Sequence, residues 1–159
     1  MEKVYIGKIV NTHGIKGELR ILSDFPFKDK VFYIDNIIYI GDEKHIIKSY
    51  RVHKNYDMIT IDDYNNINDV LKYLKKDVYV DKDSLNLDDN EVLDSELINY
   101  KVIDNNGNSG IIKEIFMASP TNKVLRVFFN KEVLIPFSMI KNINKEEEVV
   151  LVELIDGMM

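Results

Sequence analysis

Val4-Tyr5-Ile6-Gly7-Lys8-Ile9-Val10-Asn11-Thr12-His13-Gly14-Ile15-Lys16-Gly17-Glu18-Leu19-Arg20-Ile21-Leu22 places two β-rich runs, Val4 to Val10 and Leu19 to Leu22, on either side of a glycine-containing connection. β-Branched and aromatic side chains suit a pleated strand, and Gly14 and Gly17 are free to take positive φ. The stretch therefore reads as strand, structured loop and strand.

Working outward, further short β-rich runs follow at Ile37 to Ile40, Ile46 to Val52 and Met58 to Ile61. Gly41-Asp42 and Lys54-Asn55-Tyr56-Asp57 supply turn residues between them. Short strands in regular succession suggest a barrel or sandwich. From Asn68, however, Val70, Leu71, Leu74 and Val78 recur at helical spacing, with Asn66 or Asn68 placed to cap. A short helix is expected there, then a strand over Val78 to Val80.

Residues 81 to 91 are polar and acidic, with Leu85 and Leu87 as apolar side chains before Glu91, which makes them the linker candidate. Strands are expected again at Tyr100 to Ile103, Ile111 to Phe116, Val124 to Phe129, Glu132 to Ile135 and Val149 to Leu154. Each half is small, and closing a sheet into a barrel removes exposed strand edges while burying a modest core. The expectation is an all-β chain of two small β-barrel domains, 1–84 and 92–159, joined by a linker at 85–91, with one short helix in the first.

The 159 residues are 45% hydrophobic and 10% aromatic, enough for packed cores. With no cysteine, disulfides, thiolate metal sites and a cysteine nucleophile are excluded together. The first residues lack the basic segment and apolar run of a secretory signal, and no stretch approaches the ~20 apolar residues of a membrane span. A cytoplasmic protein with no membrane association is expected. A formal net charge of −6 argues against a broad basic face for duplex nucleic acid, so any RNA contact must be local. Residues 1–60 carry 10 Lys or Arg against 8 Asp or Glu, whereas 91–159 carry 7 against 11. The first half is the side suited to phosphate.

The histidines are His13, His45 and His53, and no Walker loop, Gly-x-Ser-x-Gly, His-Glu-x-x-His or Gly-x-Gly-x-x-Gly occurs. His45 and His53 flank a strand, and their nearest acids, Asp42, Glu43 and Asp57, sit in turns typical of solvated loops, so no metal or acid/base role is expected of them. No catalytic residue, metal or cofactor is expected, and the chain reads as a binding protein rather than an enzyme.

The ordered run from Gly7 to Arg20, with Gly7, His13-Gly14, Lys16-Gly17-Glu18 and the basic Arg20, resembles the N-terminal signature of the RimM family, whose members help assemble the head of the small ribosomal subunit. Leu97 to Asp104, Gly110 to Ile115, Glu132 to Phe137 and the ending Val149 to Met159 are similar to the PRC-type barrel of the same family. Two departures stand out. Val92-Leu93 lies where the family commonly has adjacent aromatics, and Asn122-Lys123 where it often has Asn-Asp.

The resemblance implies a six-stranded first barrel and a monomeric binding factor without turnover chemistry. It also implies binding to the immature small (30S) ribosomal subunit, assistance to head assembly and 16S rRNA processing, and the nineteenth small-subunit ribosomal protein as direct partner. RNA-binding candidates are His13, Gly14, Lys16, Gly17 and Arg20: the glycines allow close approach and the cations could surround a phosphate. Equally, Gly14 and Gly17 could serve only a tight turn with solvated cations at its rim. Candidates for the ribosomal-protein contact are Val92, Leu93, Asn122, Pro136 and Phe137, each with core or turn packing as its alternative. Two other functions stay open from the residues themselves: a general RNA-binding barrel, which needs aromatic platforms beside cations, and a small-molecule-binding barrel enzyme, which needs a deep pocket with convergent titratable groups.

Overall fold

Strand β1, Lys3–His13, buries both Ile6 and Ile9, an odd spacing that strict alternation forbids. Register slips resolve it, one between Tyr5 and Gly7 against one neighbour and one between Ile9 and Asn11 against the other. Gly7 sits in the slip because a Cβ there would lie 2.7 Å from Ile21 Cγ2 and 2.9 Å from the Leu22 carbonyl oxygen.

The computed structural model describes residues 1–159, in two compact units, Met1–Asn86 and Leu87–Met159. In the first, β1 is joined by β2 (Glu18–Leu22), β3 (Ile37–Ile40), β4 (Glu43–His53), β5 (Tyr56–Ile61) and β6 (Asp77–Asp81). They close into an antiparallel barrel in the order β1-β2-β5-β4-β3-β6, with β6 pairing back onto β1. Its interior is filled by Ile9, Leu19, Ile21, Ile38, Ile47 and Ile59, all fully buried. Buried Phe25, Val31 and Phe32 come from the connection between β2 and β3.

The expected helix is instead two 3-10 turns, Ile67–Asp69 and Leu71–Tyr73. The Asn66 side chain caps the first by accepting from the Asn68 N–H at 2.9 Å. A 3-10 turn brings i and i+3 to one side, which buries Val70 and Tyr73 together and leaves Leu71 exposed.

The second unit opens with one α-helical turn, α1 (Asp94–Leu97). Six strands follow: β7 (Lys101–Ile103), β8 (Ser109–Ser119), β9 (Asn122–Phe128), β10 (Glu132–Pro136), β11 (Ile140–Asn144) and β12 (Val149–Val152). The sheet order is β10-β9-β8-β7-β12-β11, with β12 parallel to β7 and the other pairs antiparallel. Its end strands β10 and β11 are consecutive in the chain, linked by the 3-10 turn Phe137–Met139. Leu97, Val102, Ile112, Leu125, Val127 and Val150 form the core, with Val92 packed into it. The turn between β7 and β8 is organised by buried Asp104, which accepts from the Asn106 and Asn108 N–H groups at 2.9 and 2.8 Å. Burial pushes that carboxyl up, and the hydrogen bonds from Asn108 and its neighbours outweigh it, leaving Asp104 below the usual carboxylate range. No helix of the chain is long and apolar enough to cross a membrane.

Candidate nucleic-acid interface

The outer face of the first barrel is assembled by strand pairing. Leu19 and Ile59 pair and point into the core, so Arg20 lies on the other face of β2 by alternation, paired with a Met58 that is itself fully buried. The rung continues to Asn11 on β1 and to Arg51 on β4. One step toward the barrel end, His13 pairs with Glu18 and His53 with Tyr56. Two hairpin tips, β1–β2 and β4–β5, thus lie side by side.

Arg20 is held from both hairpins. Its Nη2 lies 3.2 Å from His13 Nδ1, and its guanidinium stands 5.2 Å from the centre of the Tyr56 ring. Its Nε is buried and finds no acceptor within the protein. The His13 and His53 rings are 5.4 Å apart and tilted by 47°. Arg51 donates to both Glu18 carboxylate oxygens, at 2.9 and 2.8 Å, the bidentate geometry that suits a guanidinium. Those bonds hold Glu18 below the usual carboxylate range. Burial, and after it Arg51, Lys54, His13 and Arg20, hold the His53 imidazole below its ordinary value.

The glycine loop divides its labour. Gly14 takes φ +76° with open space where a side chain would be, beside exposed Ile15 and Lys16. Gly17 is different: it is buried, at φ +85°, and a Cβ there would lie 3.0 Å from the Asn66 carbonyl oxygen and 3.1 Å from Val70 Cγ2. The Ile67 N–H donates to the Ile15 carbonyl oxygen at 2.8 Å, docking the loop onto the 3-10 turns. Gly17 is therefore a packing glycine and offers no surface to RNA. His13 and Arg20 come together at one barrel end, joined by His53, Lys54, Arg51 and Tyr56, which no local motif marks, while Lys16 stays exposed in the loop between β1 and β2. Only the pairing of β2 with β5 reveals them.

His45 has other surroundings. Its Nδ1 lies 2.6 Å from an Asp62 carboxylate oxygen and its Nε2 3.2 Å from Glu43, with the Tyr73 ring edge-on at 4.9 Å. It is buried.

In the second unit, the two apolar candidates do not reach the surface. Val92 is 4% and Leu93 8% exposed, and Val92 belongs to the core of the second unit. Asn122 is exposed, and Phe137 is half-buried against the core. Lys123 links these parts, forming an ion pair with Asp94 and standing 4.7 Å from the centre of the Phe137 ring. Pro136 pairs with Val124 beside them.

Family models match both units, the RimM N-terminal domain over residues 4–85 and the PRC-barrel domain over residues 89–159. A protein of Listeria monocytogenes named ribosome maturation factor RimM is 33% identical across 100% of this chain and 99% of its own. Another of that name, from Ligilactobacillus salivarius, is 37% identical over 96% of each chain. The chain belongs to the RimM family. A solution structure of the N-terminal domain of RimM from Thermus thermophilus aligns with 55% of this chain and 98% of that one, at 17% identity and a TM-score of 0.48. Against the RimM pattern, the lysine of Asn122-Lys123 now has a definite partner in Asp94, and Val92-Leu93 takes a core position.

Proposed function

We propose that this chain is a ribosome maturation factor that binds the immature small ribosomal subunit and assists assembly of its head and processing of 16S rRNA. The observation that carries the reading is the set of cations gathered from two hairpins onto one end of the first barrel, in a chain whose full-length relatives bear that name. A local cationic end reconciles an RNA contact with a net charge of −6. The first barrel faces rRNA, and the second unit, with its acidic balance, faces the basic nineteenth small-subunit ribosomal protein through Asn122, Pro136 and Phe137. The factor works in the cytoplasm as a monomer and performs no turnover chemistry. It acts by differential affinity: tighter binding to the immature head than to the finished one lets maturation drive release, whereas equal binding would shift nothing.

Sedimentation with immature subunits, mature subunits and whole ribosomes tests this. Binding should favour the immature subunit, and Lys16→Ala with Arg20→Ala should weaken it about 10–100-fold, with a salt slope reduced by roughly one for each phosphate that is no longer neutralised. Equal binding to all three particles, or a double variant with unchanged affinity and slope, overturns the reading.

A further inference from the structure

Arginine has no acceptor, so in the contact between Arg20 and His13 the guanidinium donates and His13 Nδ1 accepts. His53, across from it, is surrounded mainly by cations. Facing it are Arg51 on its own strand, Lys54 in the following turn, His13 from β1 and Arg20 and Glu18 from β2, with the Tyr56 ring from β5. Glu18, the acid in the group, is already committed to Arg51 through both oxygens. The field at His53 is therefore positive, with the facing carboxylate, Glu18, engaged by Arg51.

We propose that the outer face between the two hairpin tips is a single phosphodiester-binding site, in which His53 takes up a proton as an RNA backbone phosphate docks against His13, Arg20 and Lys54. The inference rests on the proposed RNA-facing role of this barrel end and adds its ligand chemistry and its regulation by pH. Tyr56 holds the Arg20 guanidinium in place, and Arg20 Nε has no acceptor in the protein itself. In the free protein, burial and the neighbouring cations disfavour the His53 imidazolium, and a phosphate beside it reverses that balance. The sign follows: binding takes up a proton, so affinity rises as pH falls through the window between the free and bound values. Once His53 is protonated in both states the profile flattens.

The test uses the full chain and a six-uridine RNA, whose phosphodiesters keep one charge throughout pH 5–8, so that any pH dependence belongs to the protein. At constant ionic strength, affinity should rise by about tenfold between pH 7.5 and 5.5, the limit for one proton being about tenfold per pH unit. In ring-nitrogen NMR at pH 6.5, His53 should move toward imidazolium as RNA is added, while His45, enclosed elsewhere between Asp62 and Glu43, stays put. His53→Gln should flatten the pH profile, and Lys54→Ala, at an exposed turn, should weaken binding at every pH and, by removing one of the cations that disfavour the His53 imidazolium, move the profile toward higher pH. A pH profile unaltered in His53→Gln, or no saturable movement of the His53 ring, overturns the site. So does a polyglutamate peptide that protonates His53 as effectively as RNA, since that would point to an acidic protein segment. Immature-subunit binding that persists alongside a flat profile removes this inference alone. An intact RNA result with no subunit binding removes the ribosomal role and leaves the site standing.

Discussion

Replacing Val92 and Leu93 together with alanine should destabilise the second unit by on the order of 3–6 kcal/mol, because both side chains are nearly enclosed and their removal leaves cavities in a small core. For a unit of this size each kcal/mol moves the melting temperature by about 4–8 °C, so the transition should fall by tens of degrees. Domains this small hold few kcal/mol in reserve. Below the new transition, affinity for the ribosomal protein should match that of the unaltered chain, since both side chains are nearly enclosed. Calorimetry and partner affinity on the full-length variant decide it. Abolished partner binding with an unshifted transition would return both residues to the surface role.

Asp57→Ala should cost the first barrel about 3 kcal/mol, since it takes the acceptor from the Tyr50 hydroxyl and leaves a gap in the barrel wall. The Asp57 carboxylate is fully buried, accepts from the Tyr50 hydroxyl at 2.6 Å and faces Lys28 Nζ at 2.8 Å. Burial and the hydrogen bond to Asp57 push the Tyr50 phenol up, so it remains a donor at all ordinary pH. Alanine would leave that hydroxyl and the Lys28 ammonium unpaired, beside a Tyr50 ring already fixed by stacking on Phe32 at 5.6 Å. Asp57→Asn keeps an acceptor for Tyr50 and should cost less, about 1–3 kcal/mol. The loss reaches the cationic end, because Asp57 pairs with Ile21 and Val52, one position from Tyr56 and His53. Thermal melts and amide exchange on β5 measure it, and a transition unmoved within a degree or two rejects the assignment.

Much of the fold is legible in the sequence because its strands alternate or carry β-branched runs. Ile37 to Ile40 and Glu132 to Ile135 sit where their composition places them, and the turn glycines and asparagines fall between strands. Strand β11 is not legible, because Lys141, Asn142 and Asn144 give it the composition of a loop; it lies at the end of the sheet, where few side chains are required to be apolar. The helix expected from Asn68 gives way to 3-10 turns because apolar residues at three- and four-residue spacing suit either geometry. At the site, His13, Lys16 and Arg20 lie within one local run and can be read in order. His53 and Tyr56 are distant in sequence and join them only through a β2–β5 pairing that no local pattern encodes. Val92 and Leu93 show the converse difficulty: an apolar pair looks the same whether it faces its own core or a partner.

The tip of the β4–β5 hairpin is a two-residue turn in which Lys54 and Asn55 both take left-handed backbone, at φ 51° and 67°. Hairpins that need this geometry at both positions favour Asn-Gly, since a side chain such as lysine's crowds the backbone there. The first barrel thus carries a conformationally awkward lysine at an exposed hairpin tip, next to His53 at the cationic end. The turn is a compromise between local ease of folding and the electric field it presents. A redesign guided by backbone preference alone would make the hairpin sturdier and, in the same stroke, take one positive charge from that end of the barrel.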